Sequence, residues 1–437
     1  MHSLAEQLNE TIKRENPHFY AMLSELGRHI YFPKEGILSQ SAEAKAKAKT
    51  YNATIGIALE NNEPMHLKVI QDTLSAYEPK DLYPYAPPEG KPELRTAWRN
   101  KMLGENPSLN GKSFGNPIIT NALTHGISIV SDLFTGPGDV VIYPDKNWEN
   151  YELTFGVRRG AEIVQFPLYN DRMTFNSDGL RDAILAQQAK GKEKVVVILN
   201  FPNNPTGYTP SLQEGRDIVE AIRAGAEAGI NIVAVTDDAY FGLFFEDTLR
   251  ESLFGALCAL HPRVLAVKVD GATKEEFVWG FRVGFITYGG ESDGLLSALE
   301  QKTKGIIRAT ISSGPLPTQT FVLKALQSPD FASQQAEKCN IMKRRANKTK
   351  AILDSGQYDD AWGYYPFNSG YFMCLKLKTV EAETLRTHLL NQYGVGTIAL
   401  GTTDLRVAFS CIEEKDLDDL FAKIYQGVKD IETGTSV

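Results

Sequence analysis

The chain has 437 residues, 42% hydrophobic and 23% charged, enough for a large core and more than one domain. A formal net charge of -8 argues against nucleic-acid binding, which needs a basic face. The polar start MHSLAEQLNETIKRENPHFY lacks a signal-peptide core, and no apolar run approaches the roughly 18 residues of a membrane span, so a cytoplasmic protein without a membrane partner is expected.

Residues 1–52 read as a polar helical arm, ending in the Ala/Lys run SAEAKAKAKTYN, a solvated helix or connector. APPEGKPELRTAW supplies a proline-rich turn before a helical pattern. From residue 118 strands and helices alternate. Strand IIT precedes helix GISIVSDLF, DVVIYP precedes NYELTFGV, and AEIVQFP follows. Next come VVVILN, the helix SLQEGRDIVEAIRAGAEAG, and strands NIVAVTDD and VLAVKVDG. Short apolar strands separated by helices predict an α/β fold with a mostly parallel sheet covered on both faces.

Beyond SSGPLPTQ the pattern changes to a long charged helix, FASQQAEKCNIMKRRANKTKAIL, and strands YFMCLKL and LRVAFS. Three units are therefore expected. Residues 1–52 form the arm and part of a smaller domain, 53–320 a large domain, and 321–437 a small α+β domain. Cys258, Cys339, Cys374 and Cys411 contain no CxxC pair and read as core or spectator thiols.

Ligands of parallel α/β sheets bind beyond the carboxyl ends of the strands, so the residues that follow each strand matter most. Here these are NALTHG, DKNWENY, FPNNPTG, TDDAY and ATKEEFVWGFRVG, which bring polar and aromatic side chains to one edge. Other motifs fail. GENPSLNGKS imitates a phosphate loop, but Gly104 and Gly111 are too far apart and a strand follows where that motif needs a helix. The seven histidines have no metal-ligand spacing, so no metal is expected, and His125 reads as a packing or helix-start residue.

NNPTG, DDAY and TKEEFVWGFRVG, in that order, resemble the class I/II aminotransferases, the aspartate-aminotransferase-like fold of enzymes that use pyridoxal 5'-phosphate. The resemblance runs from about residue 50 to the C-terminus. It implies that Lys274 forms the Schiff base with the cofactor and then moves the substrate Cα proton. It implies that Arg282 grips the phosphate, and that Asp237, rather than its neighbour Asp238, pairs with the pyridine nitrogen. Tyr240 and Asn204 correspond to donors to the ring's phenolate oxygen, Trp148 to the stacking aromatic, and Ala122, Leu123 and Thr124 to the phosphate turn. In the family such prolines can follow cis peptide bonds, and Pro205 and Pro144 are the candidates here.

Two departures stand out. Gly271 occupies a position where the family usually has Ser or Thr, leaving Thr273 as a substitute phosphate hydroxyl, and Ala122 and Leu123 are larger than usual for the phosphate turn. Toward the substrate, the resemblance implies that Arg406 pairs with the α-carboxylate and that Gly56, in GIALENNEP, lies nearby. Tyr85 and Arg308 correspond to residues that reach the neighbouring subunit's site, Tyr85 at the phosphate and Arg308 at a side-chain carboxylate. An obligate homodimer with shared sites follows from that.

The implied reaction is ping-pong transamination between an L-amino acid and a 2-oxo acid through a Lys274 aldimine, with dicarboxylic or aromatic substrates favoured. A β-eliminating lyase would use the same lysine and ring contacts. A cofactor-sensing transcription regulator would need a helix-turn-helix ahead of this fold, for which the N-terminal segment leaves little room.

Overall fold

The computed structural model describes residues 1–15, 20, 23, 28–29, 37–290 and 292–434; the reading of the arm at the other positions before 37 lies outside them. The main layer is a seven-stranded sheet. Its strands are β1 (Ile118–Asn121), β2 (Val140–Pro144), β3 (Glu162–Phe166), β4 (Lys194–Asn200), β5 (Asn231–Asp237), β6 (Val264–Gly271) and β7 (Val283–Tyr288). They lie in the order β1-β7-β6-β5-β4-β2-β3. β7 runs antiparallel to β1 and β6, and the remaining neighbours are parallel. β7 is not foreseen in the sequence alternation, because VGFITY follows VWGFR without the intervening helix that marks the other strands.

β4 illustrates why these segments become strands. Val195, Val197 and Leu199 pack on one face and Val196 and Ile198 on the other, all buried. Apolar, largely β-branched residues on both faces suit a parallel sheet enclosed by helices.

The helices include α1 (Ile37–Lys47), α2 (Ala122–Phe134), α3 (Leu212–Glu227), α4 (Ala272–Glu275), α5 (Phe331–Asp354) and α6 (Leu417–Thr433), of which α2 and α4 line the site. A capping box of Ser211 and Glu214 fixes the start of α3, and its Ile218 and Ile222 join the core. The helix expected after β2 widens into π-helical turns over Glu152–Val157, with Phe155 buried.

A second, antiparallel sheet contains β8 (Trp362–Tyr364), β9 (Met373–Leu377), β10 (Ile398–Leu400) and β11 (Asp404–Val407), in the order β8-β9-β11-β10. The segment expected as one strand, LRVAFS, leaves β11 at Val407 and turns into a short 3-10 helix over Phe409–Cys411. α1 joins this sheet: the Gln40 amide donates to Ala399 O at 3.1 Å and accepts from Ala399 N at 2.8 Å. Tyr51–Asn52 also pairs in parallel with Val395–Gly396. Among the described residues, no helix is long and apolar enough to cross a membrane.

One buried charge cluster ties β5 to β6. Lys268, 1% exposed, pairs with Asp238 and lies 3.2 Å from Asp270. Ser252 donates to Asp238 at 2.6 Å and Trp98 to Asp270 at 3.0 Å. Removing one member leaves its partner charged without compensation, which costs about 3–5 kcal/mol. Lys268→Met should therefore lower the urea midpoint markedly; a wild-type midpoint would show that the cluster contributes nothing net.

Candidate active site

The carboxyl ends of β1, β2, β4, β5 and β6 open onto one cavity. It is lined by Ala122, Leu123, Thr124, Trp148, Asn200, Asn204, Asp237, Ala239, Tyr240, Thr273, Lys274 and Arg282.

Lys274 sits in α4, three residues past the end of β6. Its Nζ is 3.3 Å from Gly56 O and 5.3 Å from the centre of the Tyr240 ring, and Tyr371 Oη donates to its carbonyl at 2.9 Å. Burial, reinforced by Arg282 and Arg406 and opposed by Asp237, brings the amine down to about 8. An amine at that level spends an appreciable fraction of its time neutral and nucleophilic near neutral pH.

Asp237 ends β5 and is 3% exposed. Its Oδ2 accepts from Tyr151 Oη at 2.5 Å, its Oδ1 from Ala239 N at 3.2 Å, and its carbonyl from Asn200 Nδ2 at 2.9 Å. Burial pushes this carboxyl up to about 6, with the Tyr151 hydrogen bond holding it back. Strand alternation separates it from Asp238, which is committed to Lys268 and Ser252.

The NNPTG turn holds Asn204 in place. The Asn204–Pro205 peptide is cis, as expected from the resemblance, and so is Phe201–Pro202, which the sequence reading did not single out. Pro144 does not follow a cis bond; it completes β2 in register with Phe166, where the chain stays extended. Gly207 has φ +75°, and a Cβ there would collide with Phe372 O, so both conformation and space require glycine. Asn204 Oδ1 accepts from Arg406 Nη1 at 2.8 Å, which leaves its amide nitrogen as the donor end. Arg406, 2% exposed, also donates to Thr54 O at 2.9 Å, lies 4.2 Å over the Phe372 ring, and has an unpartnered Nε.

At the opposite end, Ala122 (φ +67°) turns the chain from β1 into α2 against Gly284, where a Cβ would lie 2.5 Å from Ala122 C. The first N–H groups of a helix have no intrahelical acceptor, and here two of the residues that carry them, Leu123 and Thr124, line the cavity. The Thr273 hydroxyl is buried without a partner. Arg282, in a left-handed conformation, donates to Trp279 O at 3.3 Å. Trp148 meets Tyr151 edge to face at 5.6 Å. His125 Nδ1 accepts from Asn121 N at 3.0 Å, in keeping with a helix-start role.

A Cβ on Gly56 would stand 3.7 Å from Lys274 Nζ and 3.3 Å from the Tyr240 hydroxyl, so this glycine borders the lysine directly. Tyr85, 94% exposed, and Arg308, engaged with Ser312, do not line this chain's cavity. The sequence reading missed Tyr151, Asn200 and Ala239. The signal for Tyr151 was its place one helical turn after Trp148, at the start of the helix that leaves the site.

Residues 54–424 match the family model described as Aminotransferase class I and II, and the chain belongs to this family of aminotransferases. LL-diaminopimelate aminotransferase of Dehalococcoides mccartyi is 25% identical over 366 residues, spanning 82% of this chain and 85% of that protein. Cytoplasmic aspartate aminotransferase of Caenorhabditis elegans is 23% identical over 406 residues, spanning 88% and 94%. Among solved structures, an aminotransferase from Anaerococcus prevotii superposes with a TM-score of 0.81 at 21% identity, covering 91% of this chain and 96% of that one. Thermus thermophilus aspartate aminotransferase with maleate gives 0.73 at 17% identity, covering 93% and 99%.

Tyr151→Phe removes a hydrogen bond that favours ionised Asp237. Such bonds are worth about 1.5–3 kcal/mol, so the titration of Asp237 should move up by about one to two pH units. The carboxyl titration of Asp237, followed by carbon-13 NMR, should then begin at a correspondingly higher pH as the solution is acidified. An unshifted profile would show that Tyr151 does not tune the carboxylate.

Proposed function

We propose that the chain is a pyridoxal 5'-phosphate-dependent transaminase that carries an amino group from an L-amino acid to a 2-oxo acid in two ping-pong half-reactions. The observation that carries this reading is one cavity in which the buried Lys274 amine and the buried Asp237 carboxyl both stand, walled at one end by anion donors. The fit to the cofactor rests on three features. Thr273 offers an orphan buried hydroxyl, Arg282 a guanidinium held by one described hydrogen bond, and the Ala122 turn the free N–H groups that begin α2. Together they suit a phosphate. Asp237 suits a ring nitrogen that must keep its proton.

In this reading Ala122, Leu123, Thr124, Thr273 and Arg282 hold the phosphate. Trp148 covers the ring, and Tyr240 and Asn204 donate to its oxygen. When bound, the cofactor supplies an electron sink for the pair released at the substrate Cα. The residues of the chain do the rest. Arg406 grips the α-carboxylate with a planar fork and turns the Cα–H bond toward Lys274. Lys274, kept low by burial and two guanidiniums, takes that proton and later returns it. Gly56 leaves the space beside the amine open to substrate.

The large (53–320) and small (321–437) domains, with the arm of 1–52, remain our division of the chain. Exposed Tyr85 and Arg308 are assigned to the neighbouring site of a homodimer, Tyr85 to the phosphate and Arg308 to a second carboxylate of the substrate. The relatives named for aspartate and LL-diaminopimelate support dicarboxylic donors ahead of aromatic ones.

Two outcomes are expected. Loaded protein given a panel of L-amino acids should convert its cofactor to the amine form with one donor, L-aspartate or L-glutamate first, releasing one 2-oxo acid per site. Lys274→Ala should slow this by at least about a hundred-fold. Pyruvate and ammonia without the amine form would overturn transamination and favour the eliminating lyase. Independently, capture of pyridoxal phosphate by the apo protein should quicken as pH rises and level off above about 8, where Lys274 is neutral. A rate independent of pH between about 6 and 9 would contradict the assignment of that amine.

A further inference from the structure

Outside the cavity, one ion pair joins the two sheets beside it. Lys146 lies in the loop after β2, two residues before Trp148, and its Nζ is 2.7 Å from Asp404 Oδ2. Asp404 opens β11, two residues before Arg406, so both project from the same face of the strand. The Asp404 side chain is 6% exposed and also accepts from Tyr365 Oη and Thr403 Oγ1, each at 3.0 Å. Lys146 Nζ stands 5.1 Å from the Tyr365 ring centre. Asp145, 3.6 Å from the same nitrogen and largely exposed, is the weaker partner.

These contacts close a circuit. The Lys146 side chain reaches Asp404, and Arg406 on the same strand donates to Asn204 at 2.8 Å. The preceding residue, Asn203, donates through Nδ2 to Lys146 O at 3.1 Å. A loop of the large sheet, the NNPTG turn and a strand of the small sheet therefore fix one another around Arg406. The pair is largely withdrawn from water and bound at both ends by further hydrogen bonds, so its geometry is well determined.

We propose that Lys146 and Asp404 are positioning residues that set the reach of Arg406 toward the carboxylate of the bound amino or 2-oxo acid. This rests on the reading of Arg406 given above. Neither residue touches the reacting atoms. Breaking the pair lets β11 shift against the Trp148 loop, so substrate affinity weakens while the phosphate end of the cavity is unchanged.

The test compares Lys146→Met, which keeps the aliphatic stem, with Lys146→Arg, which keeps the charge. Both are studied in the cofactor-loaded protein with whichever donor the wild type turns over. Three quantities are read: KM and kcat for donor and acceptor, the inhibition constant of maleate, and the Kd of pyridoxal phosphate for the apo protein by tryptophan quenching. For Lys146→Met, KM and the maleate constant should rise about ten-fold together, with kcat changed by no more than about two-fold. The cofactor Kd should stay at the wild-type value, and Lys146→Arg should recover most of the loss. If Lys146→Met is insoluble, Asp404→Asn, which keeps size and the Tyr365 contact, makes the same comparison. An unchanged KM with a lowered urea midpoint would overturn the proposal and leave the pair a fold staple. A rise in cofactor Kd equal to that in KM would also overturn it. Failure of the wild type to transaminate any donor would instead refute the reading of the site itself.

Discussion

An amine buried at the edge of a sheet, with two guanidiniums and, among the described residues, one carboxylate near enough to act on it, is the constraint on which the rest of the site depends. Burial strips the charged amine of most of its hydration and the two guanidiniums repel it, so it gives up its proton readily. The same excess of positive charge makes the cavity receptive to anions. A phosphate beside Arg282 and a carboxylate beside Arg406 would each neutralise one guanidinium and bring the reacting carbon to the lysine between them. In the proposed reading, nucleophile and binding energy come from one arrangement of charge.

The fold supplies that arrangement by converging several chain segments on one edge. β6 delivers Lys274, β5 delivers Asp237, the turn after β4 delivers Asn204, and the second sheet contributes Arg406 through β11. Strand alternation sorts the two adjacent aspartates. Asp237 faces the cavity and accepts from the buried Tyr151 behind it, while Asp238 serves the buried lysine that stitches β5 to β6. The first carboxyl is poised to titrate, and the second is spent on holding the sheet together. Arg406 in turn is held by Asn204 and Thr54, which in the proposed reading reduces the ordering cost of binding a substrate carboxylate.

How much of this was legible in the sequence follows from distance along the chain. Lys274 and Arg282 stand in one short segment between β6 and β7, and Asp237 and Tyr240 in another at the end of β5, so the family resemblance that implies their roles shows in local motifs. The parallel strands were legible for a similar reason: each is a short apolar run set off by turn residues or a helix. What escaped is non-local or lacks punctuation. The Tyr151–Asp237 hydrogen bond spans 86 residues and the Arg406–Asn204 contact spans 202. β7 has no helix before it to announce a strand. Pro144 and Pro202 look alike in sequence, yet strand pairing keeps the chain extended at the first and only the second follows a cis bond. Tyr85 and Arg308 are of another kind, since a role at a neighbouring site cannot be read from one chain's own contacts.

The most direct measurement is covalent. Protein incubated with pyridoxal phosphate would be reduced with borohydride, digested, and its modified peptide identified by mass spectrometry. The charge arrangement around the buried amine predicts a single label on Lys274, absent when reduction precedes the cofactor. A label on another lysine, or none at all, would contradict the central claim that this amine is the reactive group.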